Sequence, residues 1–272
     1  MTRRQVSQIP LAAVAVIIAA TAVFLGHRLS AMPKGVVLGQ AAPGGVSTIT
    51  VTTPKGKFKA TVMSLDGVRM LTDSASDHEC GTDCPVLPLK TFVTRNGGFA
   101  GVNGTYFCPS AYAECAAKKN TFDFPIYNSR LRKWMSQGSL GWGGRSLLFH
   151  DGGGFQYRQN SQNYPGSPSG AIMNFPGLVA DGNVQIDDNQ SGLSAKQKAK
   201  NTKVGIGTRG GANVLVVVAY GVNMVDFAHV FKALGATGAL NLDSGGSTAL
   251  YYNGRYVLGP GRALPNAIVF AR

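Results

Sequence analysis

Short alternating or continuous apolar runs, separated by turn residues, dominate the chain and predict strands. Residues 47–53 and 58–65 alternate around Pro-Lys-Gly-Lys at residues 54–57, a pattern typical of a β-hairpin. Residues 204–207 and 213–220 predict a second strand pair, whose second member is continuously apolar, as in a buried central strand.

The clearest helical pattern covers residues 223–234, where apolar side chains recur at intervals of three and four residues. Asn223 can cap the first turn together with Asp226, and Gly235 follows the last turn. The sequence therefore predicts a capped amphipathic helix at this position.

Two shorter helices are predicted, at residues 85–96 and at residues 193–199. The second lies within a polar stretch, residues 187–203, which we expect to be an exposed excursion. Thirty-six Gly and thirteen Pro favour strands and turns over long helices. We therefore expect one α+β domain over residues 48–272, a mixed α/β fold with a β-rich core and few helices.

An uncharged apolar segment, residues 9–26, follows two arginines near the amino terminus. Its length is short for a membrane-spanning helix and long for a signal-peptide core. Leu29, at the −3 position, disfavours cleavage after Ala31, so we favour an uncleaved transmembrane anchor over a cleaved signal segment.

This segment predicts the order of the chain across a membrane. Residues 1–8 would be a cytoplasmic amino terminus, residues 9–26 would contact the membrane, and residues 27–47 would form a linker rich in Gly and Pro. The domain at residues 48–272 would then lie on the extracytoplasmic side, whether the protein is membrane-anchored or secreted.

Four cysteines fall within one window, at Cys80, Cys84, Cys108 and Cys115. An even number of cysteines after an export segment predicts two disulfides. Pairing Cys80 with Cys84 and Cys108 with Cys115 would staple two loops, whereas crossed pairs would tie the loops together. A zinc site of the four cysteines, with or without His78, is the weaker alternative because the second pair is spaced too widely.

The chain is strongly basic, with 26 Lys and Arg against 13 Asp and Glu and a formal charge of +13. Such a field favours an anionic partner. No zinc finger, helix-turn-helix spacing or aromatic-basic strand motif occurs, so we expect an anionic glycan or glycosyl phosphate and no nucleic acid. Because glutamate occurs only at Glu79 and Glu114, carboxylate chemistry must depend mainly on aspartate.

The stretch Asn241-Leu-Asp-Ser-Gly-Gly-Ser-Thr248 places polar atoms between two apolar, strand-like runs. Since side chains alternate along a strand, Asn241 and Asp243 should project to the same side at its end. Gly245 and Gly246 permit positive φ and the close approach of a ligand, and nearby amides and hydroxyls offer donors to an anion. A Gly-rich turn capped by Asp243 is the alternative interpretation.

A second polar break, Asn103-Gly-Thr-Tyr-Phe107, follows an apolar run. Alone it predicts an Asn-Gly turn whose aromatic side chains enter the core. Trp134 and Trp142 offer a platform for sugar stacking, although an aromatic residue in a β-rich domain is more often part of the core.

Four segments occur in an order that resembles the phosphodiester glycosidase family. They are Asn103-Gly-Thr-Tyr-Phe107, the helix ending in Leu234-Gly-Ala236, the stretch from Asn241 to Thr248, and Arg262-Ala-Leu-Pro-Asn-Ala267. The resemblance covers roughly residues 48–272, and Asn-Leu-Asp-x-Gly-Gly-Ser is its most specific motif. It implies a mixed α/β fold and cleavage of a sugar-1-phosphodiester.

The resemblance also implies site residues. Asp243 would be the catalytic carboxylate, as base or nucleophile, while Asn103 and Asn241 orient sugar hydroxyls or water. The residues that would bind substrate and phosphate are Gly104, Thr202, Lys203, Ser244, Gly245, Gly246, Ser247 and Arg262. No His/carboxylate spacing points to a metal, and no cofactor is expected.

The chain departs from the family pattern at two places. Ser244 stands where a third Gly is usual, and Asn201-Thr202, beside Lys203, replaces an Arg-Thr pair. A lysine can hold a phosphate as a point charge but lacks the bidentate fork of arginine. If a second carboxylate is required, the candidates are Asp73, Asp77, Glu79 and Asp123.

The sequence thus predicts an exported hydrolase that cleaves a sugar-1-phosphodiester, of the N-acetylhexosamine-phosphate type, in a surface glycan or glycoconjugate. The alternative is a non-catalytic, membrane-tethered binder of anionic cell-wall polysaccharide that uses the same basic surface.

Overall fold

Strands predominate, as the apolar pattern predicts. The computed structural model describes residues 45–162, 164, 166–189 and 192–272. The strands are β1 (Gly45–Thr53), β2 (Gly56–Asp66), β3 (Arg69–Ser74), β4 (Ala100–Asn103), β5 (Ile126–Asn128), β6 (Lys133–Met135), β7 (Ser146–Asp151), β8 (Gly154–Arg158), β9 (Gly170–Asn174), β10 (Gly177–Ala180), β11 (Asn183–Val184), β12 (Asn201–Thr208), β13 (Asn213–Val222), β14 (Gly238–Asn241), β15 (Leu250–Tyr252), β16 (Arg255–Leu258) and β17 (Asn266–Ala271).

The predicted cytoplasmic segment (residues 1–8), membrane segment (residues 9–26) and all but the last three residues of the predicted linker lie outside the described residues. Within the described ranges, no helix is long and apolar enough to cross a bilayer. The first strand begins at Gly45, slightly before the predicted domain start at residue 48.

These strands form three antiparallel sheets. A seven-stranded sheet has the order β1-β2-β13-β12-β14-β10-β11, and the two five-stranded sheets have the orders β16-β15-β4-β17-β3 and β6-β5-β9-β7-β8. The predicted pairs β1–β2 and β12–β13 are both present in antiparallel register. The expected β-rich core with few helices is therefore confirmed.

Strand β13 lies at the centre of the core because both of its faces are covered. Leu215 and Val217 belong to one apolar cluster, and Val216 and Val218 belong to the cluster on the opposite face. All four side chains are fully buried. A strand with two buried faces needs apolar residues at every position, which explains the continuous run in the sequence.

Three α-helices occur in the described residues: α1 (Leu89–Arg95), α2 (Ala195–Lys198) and α3 (Met224–Ala233). The predicted capping box of α3 is present, since the Asn223 side chain accepts from the Asp226 amide at 2.8 Å and the Asp226 carboxylate accepts in return. Helix α3 packs Phe227 and Phe231 against the seven-stranded sheet. The chain then turns into β14, which ends at the polar stretch.

The disulfides are the two local pairs, Cys80–Cys84 and Cys108–Cys115. The crossed pairing and the four-cysteine zinc site are therefore excluded. Within the described part of the chain, no group of three or more metal-ligating side chains comes together.

Candidate active site

The polar stretch lies where the seven-stranded sheet meets the sheet that contains β4. The backbone amide of Asp243 donates to the carbonyl of Gly104 at 3.0 Å. The Asn103 side chain donates to the Asp243 carbonyl at 2.7 Å and accepts from the amide of Ala249 at 3.2 Å. Asn103 therefore holds both ends of the loop that carries Asp243, from behind the loop.

Gly104 allows the side chain of Asn266 to approach the end of β4 closely. A Cβ atom at this position would collide with the side-chain oxygen of Asn266, which accepts a hydrogen bond from the Thr105 amide at 2.9 Å. Any side chain at Gly104 would therefore displace Asn266 at the start of β17. The role of Gly104 in the structure is therefore packing, and its carbonyl fixes Asp243.

In front of this loop is a pocket of about 650 Å³. Three segments form most of its walls: the loop after β4, the segment around α2 and the start of β12, and the turn after Asp243. Met224 at the start of α3 and Arg262 complete them. Its lining residues are Tyr106, Phe107, Pro109, Tyr112, Ser194, Lys196, Gln197, Asn201, Thr202, Lys203, Met224, Asp243, Ser244, Gly245, Ser247 and Arg262. The pocket has the size and mixed lining of a small-molecule site.

Asp243 contributes the single carboxylate of this lining. Burial raises the pKa of Asp243 from 3.8 to about 6, while hydrogen bonds from the Ser247 side chain and the Ser244 amide, then the charges of Arg262 and Lys196, oppose that rise. The Ser244 amide donates to the carboxylate at 2.8 Å. A carboxyl group that titrates near neutral pH inside a pocket is suited to proton transfer.

The two glycines after Ser244 fulfil separate geometric needs. Gly245 has a φ of +68°, which L-residues rarely adopt, and opens a short 3₁₀ turn over Gly245–Ser247. A Cβ atom on Gly246 would collide with the guanidinium of Arg262. The turn therefore lets Arg262 lie directly against the backbone beside Asp243.

Arg262 lies at the pocket with an incompletely satisfied guanidinium. Its Nη2 donates to the hydroxyl of Tyr112 at 3.2 Å, and its amide donates to the carbonyl of Gly246 at 2.9 Å. Its Nη1 is buried and finds no hydrogen-bond acceptor among the described residues. A buried cationic donor without a partner is costly unless a ligand accepts from it.

Asn241 is fully buried behind the pocket wall and does not line the pocket. Its side-chain amide donates to the hydroxyl of Tyr106 at 2.5 Å, and Gln197 donates to the same hydroxyl at 3.1 Å. With both acceptor positions filled, the phenol hydrogen of Tyr106 remains for an acceptor in the pocket. Burial raises the pKa of Tyr106, which keeps that hydrogen in place at neutral pH.

Lys203 lines the pocket, but its ammonium group is occupied. It donates to the carbonyl of Lys196 at 2.8 Å, to the carbonyl of Ala199 at 3.1 Å and to the side-chain oxygen of Asn201. These three acceptors use all three N–H groups, so Lys203 has no N–H left for a phosphate in this arrangement. Although burial lowers the pKa of Lys203 to about 8, the acceptors favour its charged form at neutral pH.

Lys203 thereby anchors the segment that carries Lys196 and Gln197. The prediction that residues 187–203 form an exposed excursion is confirmed at most described positions, Ser194 and Asn201 among them, but Gln197 and Lys203 are buried and the segment forms one wall of the pocket. The local composition is polar because the segment faces a polar cavity. Polarity along the sequence does not distinguish a pocket wall from a solvent-exposed loop.

Among the pocket residues that the sequence did not single out as site residues are Tyr106, Tyr112, Lys196 and Gln197. The expectation that the aromatic side chains after Asn103 enter the core is wrong for Tyr106, whose ring lines the pocket. A capping box from Ser194 to Gln197 marks the start of α2 and is visible in the sequence. Nothing in the sequence brings Tyr112 or Lys196 to the site.

The candidates for a second carboxylate do not line the pocket. Asp73 is fully buried and bonds to Arg95, Asn96 and Asn128, which is a structural network between elements. Asp77 pairs with Arg130. The remaining two, Glu79 and Asp123, line a shallower depression elsewhere.

The two tryptophans also lie away from the Asp243 pocket. Trp134 packs edge-on against Tyr127 and Tyr164, with ring centroids 5.6 and 5.9 Å apart. Trp142 is 46% exposed beside Glu79 and Asp123. They form no joint stacking platform at the Asp243 pocket.

A family model for phosphodiester glycosidases matches residues 96–271. The catalytic domain of zebrafish N-acetylglucosamine-1-phosphodiester alpha-N-acetylglucosaminidase, auto-inhibited by its pro-peptide, superposes with a TM-score of 0.62 at 14% identity, and the match covers 86% of each chain. A hypothetical protein from Synechocystis gives a TM-score of 0.53 at 14% identity over 84% of this chain, which spans 62% of that protein's length. No curated protein matches the sequence.

Proposed function

The chain belongs to the phosphodiester glycosidase family, and we propose that it hydrolyses a glycosyl-1-phosphodiester at the pocket around Asp243. One observation carries the proposal. The carboxyl group of Asp243, with a pKa raised to about 6, faces a pocket that Lys196 and Arg262 make cationic. This combination suits attack at a sugar whose departing group is an anion.

The chemistry of the leaving group explains why one carboxylate is sufficient. A phosphate ester departs as a stabilised anion, so it needs little protonation by a general acid. The cation Arg262 and the phenol hydrogen of Tyr106 supply charge and a hydrogen bond to the departing phosphate. These donors take the place of the second carboxylate that most glycosidases use.

Asp243 then acts as general base in a single displacement. Its carboxylate takes a proton from water, the water oxygen bonds to the anomeric carbon, and the bond from that carbon to the phosphate oxygen breaks. The products are a free sugar and a phosphate monoester. A double displacement would need a further base to activate water after the first step, and Asp243 is the single carboxylate of the lining.

Two further observations support an identity for the sugar and a location for the protein. The zebrafish structure is that of an enzyme acting on N-acetylglucosamine-1-phosphodiesters, which supports an N-acetylhexosamine here. Two disulfides are typical of proteins outside the cytosol, which supports a surface glycan or glycoconjugate as the natural substrate. We retain the apolar segment at residues 9–26 as a proposed membrane anchor or signal segment.

The purified full chain tests the proposal with methyl N-acetylglucosaminyl phosphate, by measuring free N-acetylglucosamine. Asp243→Asn should lower kcat by at least about a thousandfold, because amide nitrogen cannot accept the proton. The matched control is Asp123→Asn, an exposed carboxylate outside the pocket, which should retain full activity.

Two outcomes would contradict the proposal. Full turnover by the Asp243→Asn variant would show that the reaction does not need the Asp243 carboxylate. Binding of the substrate by the unaltered protein without sugar release would favour the non-catalytic binder of anionic polysaccharide. Proton NMR of the first sugar formed tests the single displacement, which should invert the anomeric configuration.

A further inference from the structure

Two cations lie against one aromatic ring at the pocket wall. The Nζ atom of Lys196 is 4.8 Å from the ring centroid of Tyr112, and the guanidinium carbon of Arg262 is 5.1 Å from the same centroid. The separation between the two charged groups therefore cannot exceed the sum of these two distances. We call Lys196, Arg262 and Tyr112 the cation pair site.

Neither cation is neutralised by the protein. Among the described residues, neither Lys196 nor Arg262 takes part in an ion pair within 4.0 Å, and the buried Nη1 of Arg262 has no acceptor. Asp243 is the single carboxylate in the lining. An anionic ligand that contacts both cations would therefore supply the negative charge that the surrounding residues do not.

The net charge of the lining can be compared with the charge of a substrate. Lys196, Lys203 and Arg262 are three cations, and Asp243 is one anion, so the pocket has an excess of two positive charges at neutral pH. A glycosyl monophosphate diester carries one negative charge. A glycosyl diphosphate diester carries two, on neighbouring phosphates, and matches the excess.

The positions of the two cations also differ relative to Asp243. Arg262 lies against the turn that follows Asp243, since its amide donates to the carbonyl of Gly246 at 2.9 Å and a Cβ atom on Gly246 would collide with its guanidinium. The phosphate bonded to the sugar must lie near Asp243 as well. Arg262 is therefore placed to contact that phosphate, and Lys196, which contacts the same Tyr112 ring, is the neighbouring cation of the lining.

We propose that the cation pair site selects glycosyl diphosphate diesters, with Arg262 binding the phosphate on the sugar and Lys196 binding the second phosphate. The reaction itself rests on the proposed function; the selection of a second phosphate is the new inference. Bond cleavage is unchanged, since the bond between the anomeric carbon and the first phosphate oxygen breaks and a diphosphate monoester leaves.

Binding of sugar-free probes tests the site without any catalysis. Phosphorus NMR titration of the full chain compares the symmetric dimethyl ester of diphosphate, with two charges, and dimethyl phosphate, with one. We expect about tenfold tighter binding of the diphosphate ester. Lys196→Gln should reduce this ratio to about twofold, and Lys196→Arg should preserve it because the charge remains.

Lys198→Gln is the matched control, since Lys198 is an exposed lysine on the same helix that does not line the pocket. It should leave the binding ratio unchanged. Equal binding of the two esters by the unaltered protein would overturn the inference. An equal loss of preference in Lys196→Gln and Lys198→Gln would also overturn it, because a general positive field would then account for the effect.

Hydrolysis separates this inference from the proposed function. Sugar release is measured from UDP-N-acetylglucosamine and from methyl N-acetylglucosaminyl phosphate, and a higher kcat/KM for the first supports the selection. If both are hydrolysed equally well, the proposed function stands and the inference fails. If neither releases sugar while the binding preference is present, the cation pair site stands and the proposed function fails.

Discussion

At the scale of single residues, Asp243 combines partial burial with charge. Its carboxyl group accepts hydrogen bonds from Ser244 and Ser247 and is influenced by two cations, yet burial dominates and raises its pKa to about 6. Such a group is mostly ionised at pH 7 and can still accept a proton effectively. The same burial lowers the free energy of unfolding when the carboxyl group is ionised.

The first prediction concerns the pH dependence of the reaction. Because the base must be ionised, kcat/KM should fall about tenfold per pH unit below an apparent pKa of about 6. Arg262→Gln should shift this fall in kcat/KM to higher pH, since the charge of Arg262 favours the ionised carboxylate. A fall in kcat/KM centred near pH 4 in the unaltered enzyme would contradict the raised pKa of Asp243.

The second prediction concerns the stability of Asp243→Asn. The folded-state pKa is above the ordinary value of 3.8, so the stabilising contribution of Asp243 is present at low pH and is lost as the pH rises through about 6. At pH 8 the variant should unfold with a free energy about 1–3 kcal/mol higher than the unaltered protein.

Urea denaturation at pH 8 and pH 4.5 measures this difference. The gain should shrink to about a third at pH 4.5, because the unfolded carboxyl group, with a pKa of 3.8, is already mostly ionised there while the folded group is still protonated. Asp123→Asn is again the control, because Asp123 is exposed and should show no such change at either pH. A loss of stability in Asp243→Asn at pH 8 would mean that its hydrogen bonds outweigh its burial.

At the scale of elements, the site is assembled from segments that are far apart in the chain. Strand β4 delivers Asn103, strand β14 delivers the Asp243 loop, and the loop between the second pair of cysteines delivers Tyr112. The Cys108–Cys115 disulfide closes this loop, so it restricts where the Tyr112 ring can lie.

The third prediction follows from this loop. The double variant Cys108→Ser with Cys115→Ser should raise KM for a glycosyl phosphodiester about three- to tenfold with a smaller change in kcat, because Tyr112 positions Arg262 through a hydrogen bond of 3.2 Å. The double variant Cys80→Ser with Cys84→Ser removes the other local disulfide, whose cysteines do not line the Asp243 pocket.

Steady-state kinetics of the two double variants, with thermal unfolding as a check on folding, measures the effect. Equal KM changes in the two variants would show that general loop stability, and not the position of Tyr112, is responsible.

At the scale of the whole molecule, the formal charge of +13 surrounds a pocket that is itself cationic. A positive field attracts an anionic substrate over distances comparable to the Debye length, about 8 Å at physiological ionic strength. The surface charge therefore assists the encounter, whereas the pocket residues determine what is bound.

The fourth prediction is a salt dependence of the encounter. When the ionic strength increases from about 0.01 M to about 0.15 M, kcat/KM for a glycosyl phosphodiester should fall several-fold, because exposed charges are screened. The value of kcat at saturation should change much less, since the bound substrate is partly shielded. A kcat/KM that is independent of salt would show that the surface charge does not steer the substrate.

Much of the fold was predictable from local patterns. The hairpins, the central strand β13 and the capped helix α3 each depend on a period or a motif within about 12 residues. The start of α2 at Ser194 has a local signal too, but its place at a pocket wall does not, since that depends on Lys203 binding the carbonyls of Lys196 and Ala199.

The sequence by itself determined the β-rich architecture and the motif around Asp243, because strand alternation, helix capping and glycine turns are local properties of the chain. Only the tertiary structure decided the disulfide pairing, the supporting positions of Asn103 and Asn241, and the meeting of Lys196, Tyr112 and Arg262. The last two outcomes depend on contacts between residues up to 150 positions apart, such as Tyr112 with Arg262, which no local pattern specifies.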